Sequence, residues 1–185
     1  GAAVTISCWV SQKTKKSPKT FTPYQDKDGL DRQIKHELEK STHSPKNAIV
    51  IGSLGRVGSG VIDLCEKMNI KMTKWDVLET SKKQDFSEIL DHDLFFNCVV
   101  ANNETPTFIS EGIIRRNQNL TIVGDIACDP GSRYNPIAIY DAVTTWSEPV
   151  ARVSENPILE VMAIDNLPSL LPLESSVDFA SQLLP

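Results

Sequence analysis

Gly52-Ser53-Leu54-Gly55-Arg56-Val57-Gly58-Ser59-Gly60 lies between a short apolar run, Ala48-Ile49-Val50-Ile51, and a stretch with Val61, Ile62, Leu64, Cys65 and Met68 on one face. A continuous apolar run of that length suits a parallel strand buried on both faces. The spacing after it suits a helix. A glycine turn from 52 to 60 between such elements can hold a phosphate. Side chains are missing where an anion must approach, and the helix start offers free N–H groups and the positive end of its dipole. The glycines are spaced GxxGxxG rather than GxGxxG, with Leu54 inside the turn. Taken alone, the turn is equally a place where glycines gather for ordinary reasons.

The next strand, Ile70 to Trp75, ends at Asp76. A carboxylate about 20 residues past a glycine turn, at a strand end, can accept hydrogen bonds from ribose hydroxyls. It would repel a 2′-phosphate, which favours NAD over NADP, although Lys74, Lys82 and Lys83 lie nearby. The competing role for Asp76 is a helix or turn cap. Arg56 either pairs with a pyrophosphate or is an exposed arginine on a turn. Asn97, Asp125 and Asp129 stand at or just beyond strand ends, where both ligand contacts and turn residues occur.

The alternation continues downstream. A short helix near Phe86 to Leu90 precedes a buried strand, Leu94 to Val100. Phe108 to Asn117 reads as a helix, Leu120 to Ile126 as a strand, Val161 to Ile164 as a last strand, and Ser175 to Leu184 as a helix. Upstream, Val4, Ile6, Cys8, Trp9 and Val10 are apolar with no capping residue before them, as inside a helix that begins before Gly1. A polar loop from Lys13 to Asp28, with Pro18 and Pro23, leads to Leu30, Ile34 and Leu38 on an amphipathic surface helix. Alternation of this kind predicts an α/β fold, a Rossmann-like doubly wound parallel sheet.

Composition narrows the function classes. Of 185 residues, 40% are hydrophobic and 23% charged, the balance of a globular domain rather than a disordered chain. A net charge of -5 opposes a broad nucleic-acid face, and Lys13 to Lys16 with Lys19 reads as a solvated linker. There is no apolar run long enough for a membrane span and no basic start typical of a signal peptide. Cys8, Cys65, Cys98 and Cys128 are too scattered for a metal site or disulfide frame, and read as buried thiols in a reducing compartment. His36, His43 and His92 read as surface residues, and Trp9, Trp75 and Trp146 as packing. No G-x-S-x-G, P-loop or HExxH occurs. Hydride transfer needs an acid–base group near the nicotinamide, and no catalytic or metal-binding residue is assigned.

Several stretches, in order, carry a resemblance. Ile51 to Gly60 with Ile62-Asp63-Leu64 resembles the glycine loop of fungal NAD-dependent, L-lysine-forming saccharopine dehydrogenases. Lys74-Trp75-Asp76-Val77 with Glu79-Thr80-Ser81 resembles that family's ribose-binding turn. Asn97-Cys98, Asn135-Pro136-Ile137 before Ile139-Tyr140, and Ile164-Asp165-Asn166-Leu167-Pro168-Ser169-Leu170-Leu171-Pro172 follow. The last motif has a counterpart in lysine-ketoglutarate reductase domains. The resemblance covers about residues 46 to 185.

It implies one domain of a two-domain dehydrogenase that oxidises saccharopine with NAD to L-lysine and 2-oxoglutarate, in lysine biosynthesis. It also implies a cytoplasmic protein, with peroxisomal targeting left open. Residues 1–45 would pack on the domain, 46–172 would form the NAD-binding unit, and 173–185 would lead back to the other domain. Gly52, Gly55, Arg56 and Gly58 would meet the pyrophosphate side of NAD, and Asp76 and Thr80 the ribose. Val100 would lie near the adenine, where relatives can carry a tyrosine. Ile126, Ile164, Asp165, Asn166 and Leu167 would border the other end. Val57 replaces a cysteine of some relatives, which removes a disulfide to Cys98. The family's catalytic lysine and histidine belong to an N-terminal domain expected before Gly1. The alternatives are a non-catalytic Rossmann binding module and an NADP domain of the lysine-ketoglutarate reductase type.

Overall fold

The structure is a computed structural model and describes residues 1–114 and 118–183. Helices α1 (Ala2–Lys13) and α2 (Lys27–Lys40) precede β1 (Asn47–Ile51), α3 (Arg56–Lys67) and β2 (Lys71–Trp75). After α4 (Val77–Thr80) and a 3-10 turn (Ser87–Asp91) come β3 (Leu94–Asn97), β4 (Ile109–Ser110), α5 (Glu111–Ile114) and β5 (Ile122–Asp125). Then follow β6 (Ile137–Ala138), β7 (Ala151–Glu155), β8 (Ile158–Met162), a second 3-10 turn (Leu167–Leu170) and α6 (Pro172–Leu183).

Six strands form one sheet in the order β2-β1-β3-β5-β8-β7, and β4 and β6 pair separately. The first five of that order run parallel, while β7 runs antiparallel to β8 at the edge. The fold is α/β with a mostly parallel, Rossmann-like sheet. Because successive side chains alternate between faces, β1 feeds two cores. Ala48 and Val50 join Leu94, Phe96, Ile122 and Met162 beneath α1, α2 and α3. Ile49 and Ile51 join Phe95, Val123 and Val161 against Phe86, Ile89, Phe108 and Ile137. Hence the run shows no polar alternation. Each fully buried side chain of this size stabilises the fold by about 1.5–3 kcal/mol.

Helix α1 is buried from Ala2 to Ser11, as expected of a helix without one apolar stripe. It packs on β5, α2 and α3. Gly124 in β5 permits the approach, since a Cβ there would stand 2.5 Å from Thr5 Oγ1.

Several local expectations are corrected. The glycine turn is shorter than residues 52 to 60, because α3 begins at Arg56 and takes in Gly58 and Gly60. The strand expected over 94–100 stops at Asn97, and that over 120–126 is Ile122–Asp125. Phe108 to Ile114 is not one helix. The N–H groups of Phe108 and Ile109 both donate to Pro136 O, at 2.8 and 3.2 Å, which draws Ile109 into a strand and leaves only α5 helical. Positions 115–117 of that expected helix, and 184 of the last one, lie outside the described residues. The last strand is centred earlier, at Ile158–Met162, and β7 was not anticipated. His92 is buried rather than on the surface, between Thr73 Oγ1 at 2.7 Å and Glu88 O at 3.0 Å.

The chain leaves β1 toward β2 on one side and returns to its other side as β3. Open parallel sheets hold ligands at such a reversal, beyond the carboxyl ends of the strands.

Candidate functional site

At that reversal the backbone is drawn tight. The N–H groups of Gly52 and Ser53 both donate to Trp75 O, at 3.0 and 3.1 Å, which ties the turn to the end of β2. Gly52 has φ +87, where a side chain is strained, and a Cβ on it would meet the Cys98 carbonyl at 2.9 Å. Gly58 is more constrained still. A Cβ there would stand 2.1 Å from Gly52 O, so the missing side chain lets α3 rest on the turn. Gly55 caps α3 without any side-chain hydrogen bond. The first turn of the helix therefore presents its N–H groups and the positive end of its dipole to whatever lies in front.

Asp76 holds the other wall. Its Oδ2 accepts the Leu54 N–H at 2.8 Å, and its Oδ1 accepts the Val77 N–H at 2.9 Å. Glu79 Oε2 accepts the Asp76 N–H at 2.7 Å, completing a capping box for α4. The carboxylate is thus a cap and a brace for the glycine turn. The acceptor capacity these backbone donors leave is open to incoming hydroxyl donors. Thr80 is buried beside it, and its hydroxyl donates to Asp76 O at 2.9 Å.

Together these residues line a cleft of about 310 Å³ that includes Gly52, Gly55, Asp76, Thr80 and Val100. Asn102, Glu104, Thr105 and Pro106 form a further lip of the cleft, and Val77 also lines it. Val77 and Val100 are 69% and 88% exposed, so the lining offers two exposed apolar side chains on which a flat ring can pack. The sequence reading missed the 102–106 lip. Its signal was a polar segment directly after a strand, on the edge where ligands bind.

The remaining candidates lie elsewhere. Gly58 is inside α3. Arg56 turns from the cleft toward α6, where Nη2 donates to Asp178 Oδ2 at 2.7 Å and Nη1 to Gln182 Oε1. Ile126 follows β5, donates its N–H to Asn97 O at 3.0 Å and lines a small cavity beside α1. Ile164 is buried and bridges to Thr144. Asp165 and Asn166 are exposed and Leu167 is half-buried in the turn after it. Ile126 and the 164–167 segment follow the carboxyl ends of β5 and β8. They therefore share the cleft's edge of the sheet, further along the strand order.

Between those two groups stands a buried network. Asn97 Nδ2 donates to Asp125 Oδ1 at 2.8 Å, and the Tyr140 hydroxyl to Asp125 Oδ2 at 2.6 Å. Burial raises the Asp125 carboxyl above its ordinary value, against the hydrogen bonds from Tyr140 and Asn97. Burial, then the adjacent Asp125, raises the Tyr140 hydroxyl. Burial pushes the Cys98 thiol up to about 12, so it stays protonated at neutral pH. All four cysteines are free. No metal-holding group of His, Cys, Asp and Glu occurs among the described residues, and no described helix is long and apolar enough to cross a membrane. A larger cavity, about 850 Å³, lies away from the glycine turn, between β7 and the segment around Tyr140.

No family model matches the chain. Among curated proteins it is 42% identical over 175 positions to "Saccharopine dehydrogenase [NAD(+), L-lysine-forming]" of Candida albicans, covering 89% of this chain and 46% of that protein. The proteins of the same name from Yarrowia lipolytica and Schizosaccharomyces pombe are each 36% identical across 100% of this chain, and 53% and 54% of theirs. The chain spans about half the length of the curated relatives it matches.

Proposed function

We propose that this chain, which resembles one half of the fungal L-lysine-forming saccharopine dehydrogenases, is the NAD-binding half of such an enzyme. The observation that carries the reading is the cleft at the sheet's reversal point. A glycine at positive φ, an uncapped helix start and a strand-end carboxylate meet there. These residues fit a dinucleotide. Gly52 and Gly55 clear the backbone for a pyrophosphate, and the N–H groups of α3 face its charge. Asp76 offers its free lone pairs to ribose hydroxyls, and Val77 and Val100 flank the adenine. A 2′-phosphate would meet the Asp76 carboxylate, which disfavours the NADP alternative.

The reaction proposed for the whole enzyme takes saccharopine, oxidised NAD and water to L-lysine, 2-oxoglutarate, NADH and a proton. NAD supplies the hydride acceptor. This chain binds and orients it, while the acid–base groups come from a partner half. Residues 1–45 pack on the NAD unit of 46–172, and 173–185 lead to the partner. The exposure of α6 supports that last assignment. Its polar side turns inward, with Glu174 accepting the Lys27 N–H at 2.8 Å and Asp178 bound to Arg56. Leu173, Val177, Phe179 and Leu183 stay 60–66% exposed, an apolar face suited to another protein surface. Four free thiols accord with a reducing, cytoplasmic setting.

Calorimetric titration of the folded chain with NADH tests the reading. Saturable binding is expected, with no reduction of NAD when saccharopine is added to the chain alone. Absence of binding at millimolar NADH would overturn the cofactor assignment.

A further inference from the structure

Asp125 is a buried carboxyl whose two oxygens both accept hydrogen bonds, the pattern an ionised carboxylate takes, and it has no counter-ion. It is 1% exposed, and both groups that donate to it, the Asn97 amide and the Tyr140 hydroxyl, are neutral. None of the ion pairs among the described residues includes it. An ionised carboxylate held by neutral partners alone is costly, because two hydrogen bonds offset only part of its lost hydration. An asparagine would fill the same space without that cost, so the charge needs a role of its own.

Its position supplies one. Asp125 ends β5 and pairs in register with Asn97, which ends β3. A dinucleotide with its adenosine at Asp76 and its pyrophosphate before α3 has only one way to extend along this edge. It must pass the ends of β3 and β5, toward β8. The other titratable groups near Asp125 add no positive charge at neutral pH: burial holds Cys98, Cys128 and Tyr140 in their neutral forms, Asp129 acts on the same surroundings, and burial lowers the Gly1 amino group beside Cys98 to about 5. Fixed by two hydrogen bonds in a low-dielectric setting, the carboxylate acts on charges several ångströms away with little screening.

We infer that Asp125 is a selectivity residue, whose carboxylate makes the site prefer oxidised NAD, with its cationic nicotinamide ring, over NADH, whose ring is neutral. The inference rests on the dinucleotide reading above. A site of this kind takes up the cofactor as oxidant and loosens its hold once the ring has accepted hydride and lost its charge.

The test is calorimetric titration of the chain and of Asp125→Asn with oxidised NAD and with NADH at neutral pH. The asparagine variant is expected to lose about tenfold in affinity for oxidised NAD, the scale of one partly screened charge pair, and to keep its affinity for NADH. Should Asp125→Asn fail to fold, Asp125→Ala with Tyr140→Phe removes the charge and the hydroxyl it would orphan together, and is expected to show the same selective loss. Equal losses for both cofactor forms, or none, overturn the inference while leaving the cofactor reading intact. Failure of the unaltered chain to bind either form overturns both.

Discussion

The Asp76 carboxylate accepts the Leu54 N–H at 2.8 Å, so the residue that ends β2 also braces the glycine turn. Its two possible roles, cap and ribose ligand, are therefore compatible, because its lone pairs divide between them. Asp76→Ala should lower stability without cofactor by about 1 kcal/mol, the usual worth of an N-cap. It should also weaken NADH binding by about 1–3 kcal/mol, the scale of a hydrogen bond to a charged group. Thermal unfolding and calorimetry read the two effects separately. A stability loss with unchanged NADH binding would leave Asp76 a cap only.

Gly58 and Gly60 lie in the same helix and should respond oppositely. At Gly58 a Cβ would meet Gly52 O at 2.1 Å, whereas at Gly60 it meets nothing within 4 Å. Gly58→Ala should cost about 1–3 kcal/mol or more, because backbone must move. Gly60→Ala should stabilise by about 0.5–1 kcal/mol through helix propensity. Denaturant unfolding of both variants checks the pair.

Stability at Asp125 should depend on pH. Burial raises its carboxyl in the folded chain, so the native state holds that proton more tightly than the unfolded state. The stabilisation this gives is complete below the ordinary aspartate value of about 4 and is lost as pH rises through the raised value, at about 1.4 kcal/mol per unit of displacement. Asp125→Asn escapes that loss. It should be more stable than the unaltered chain at neutral pH, with the gap narrowing on acidification. Unfolding curves across that range would contradict this if the gap stayed constant.

Arg56 and Asp178 form an ion pair with side chains 70% and 63% exposed. Exposed pairs contribute little, so Asp178→Ala should change stability by less than about 1 kcal/mol. It also releases Arg56, beside the helix start, from the charged one of its two partners on α6. NADH binding should tighten slightly at low salt, with the gain fading as salt screens the arginine. Titration at two ionic strengths reads this directly.

What was legible in the sequence was local. Ala48–Ile51, the glycines, the face of α3 and Asp76 follow one another within thirty positions, and each carries its own geometric constraint. The cleft's central residues were found for that reason. The segment from 108 to 155 was not legible to the same degree. Phe108, Ile109, Ile113 and Ile114 suit a helix as well as a strand, and Pro136, which accepts from Phe108 and Ile109, lies far along the chain. The strand β7 did carry a period-two signal, with Ala151 and Val153 alternating with Arg152 and Ser154, but it spans only Ala151–Glu155. Arg56 looked free in the sequence because its partners, Asp178 and Gln182, are on α6. Tyr140 gave no local hint of its bond to Asp125, fifteen residues earlier.

The central claim is that the glycine turn and Asp76 together hold NAD. Parallel titration of the folded chain with NADH and NADPH tests it most directly. NADH should bind saturably and more tightly than NADPH, with the difference reduced in Asp76→Ala. Tighter binding of NADPH, or no binding of either, would contradict it.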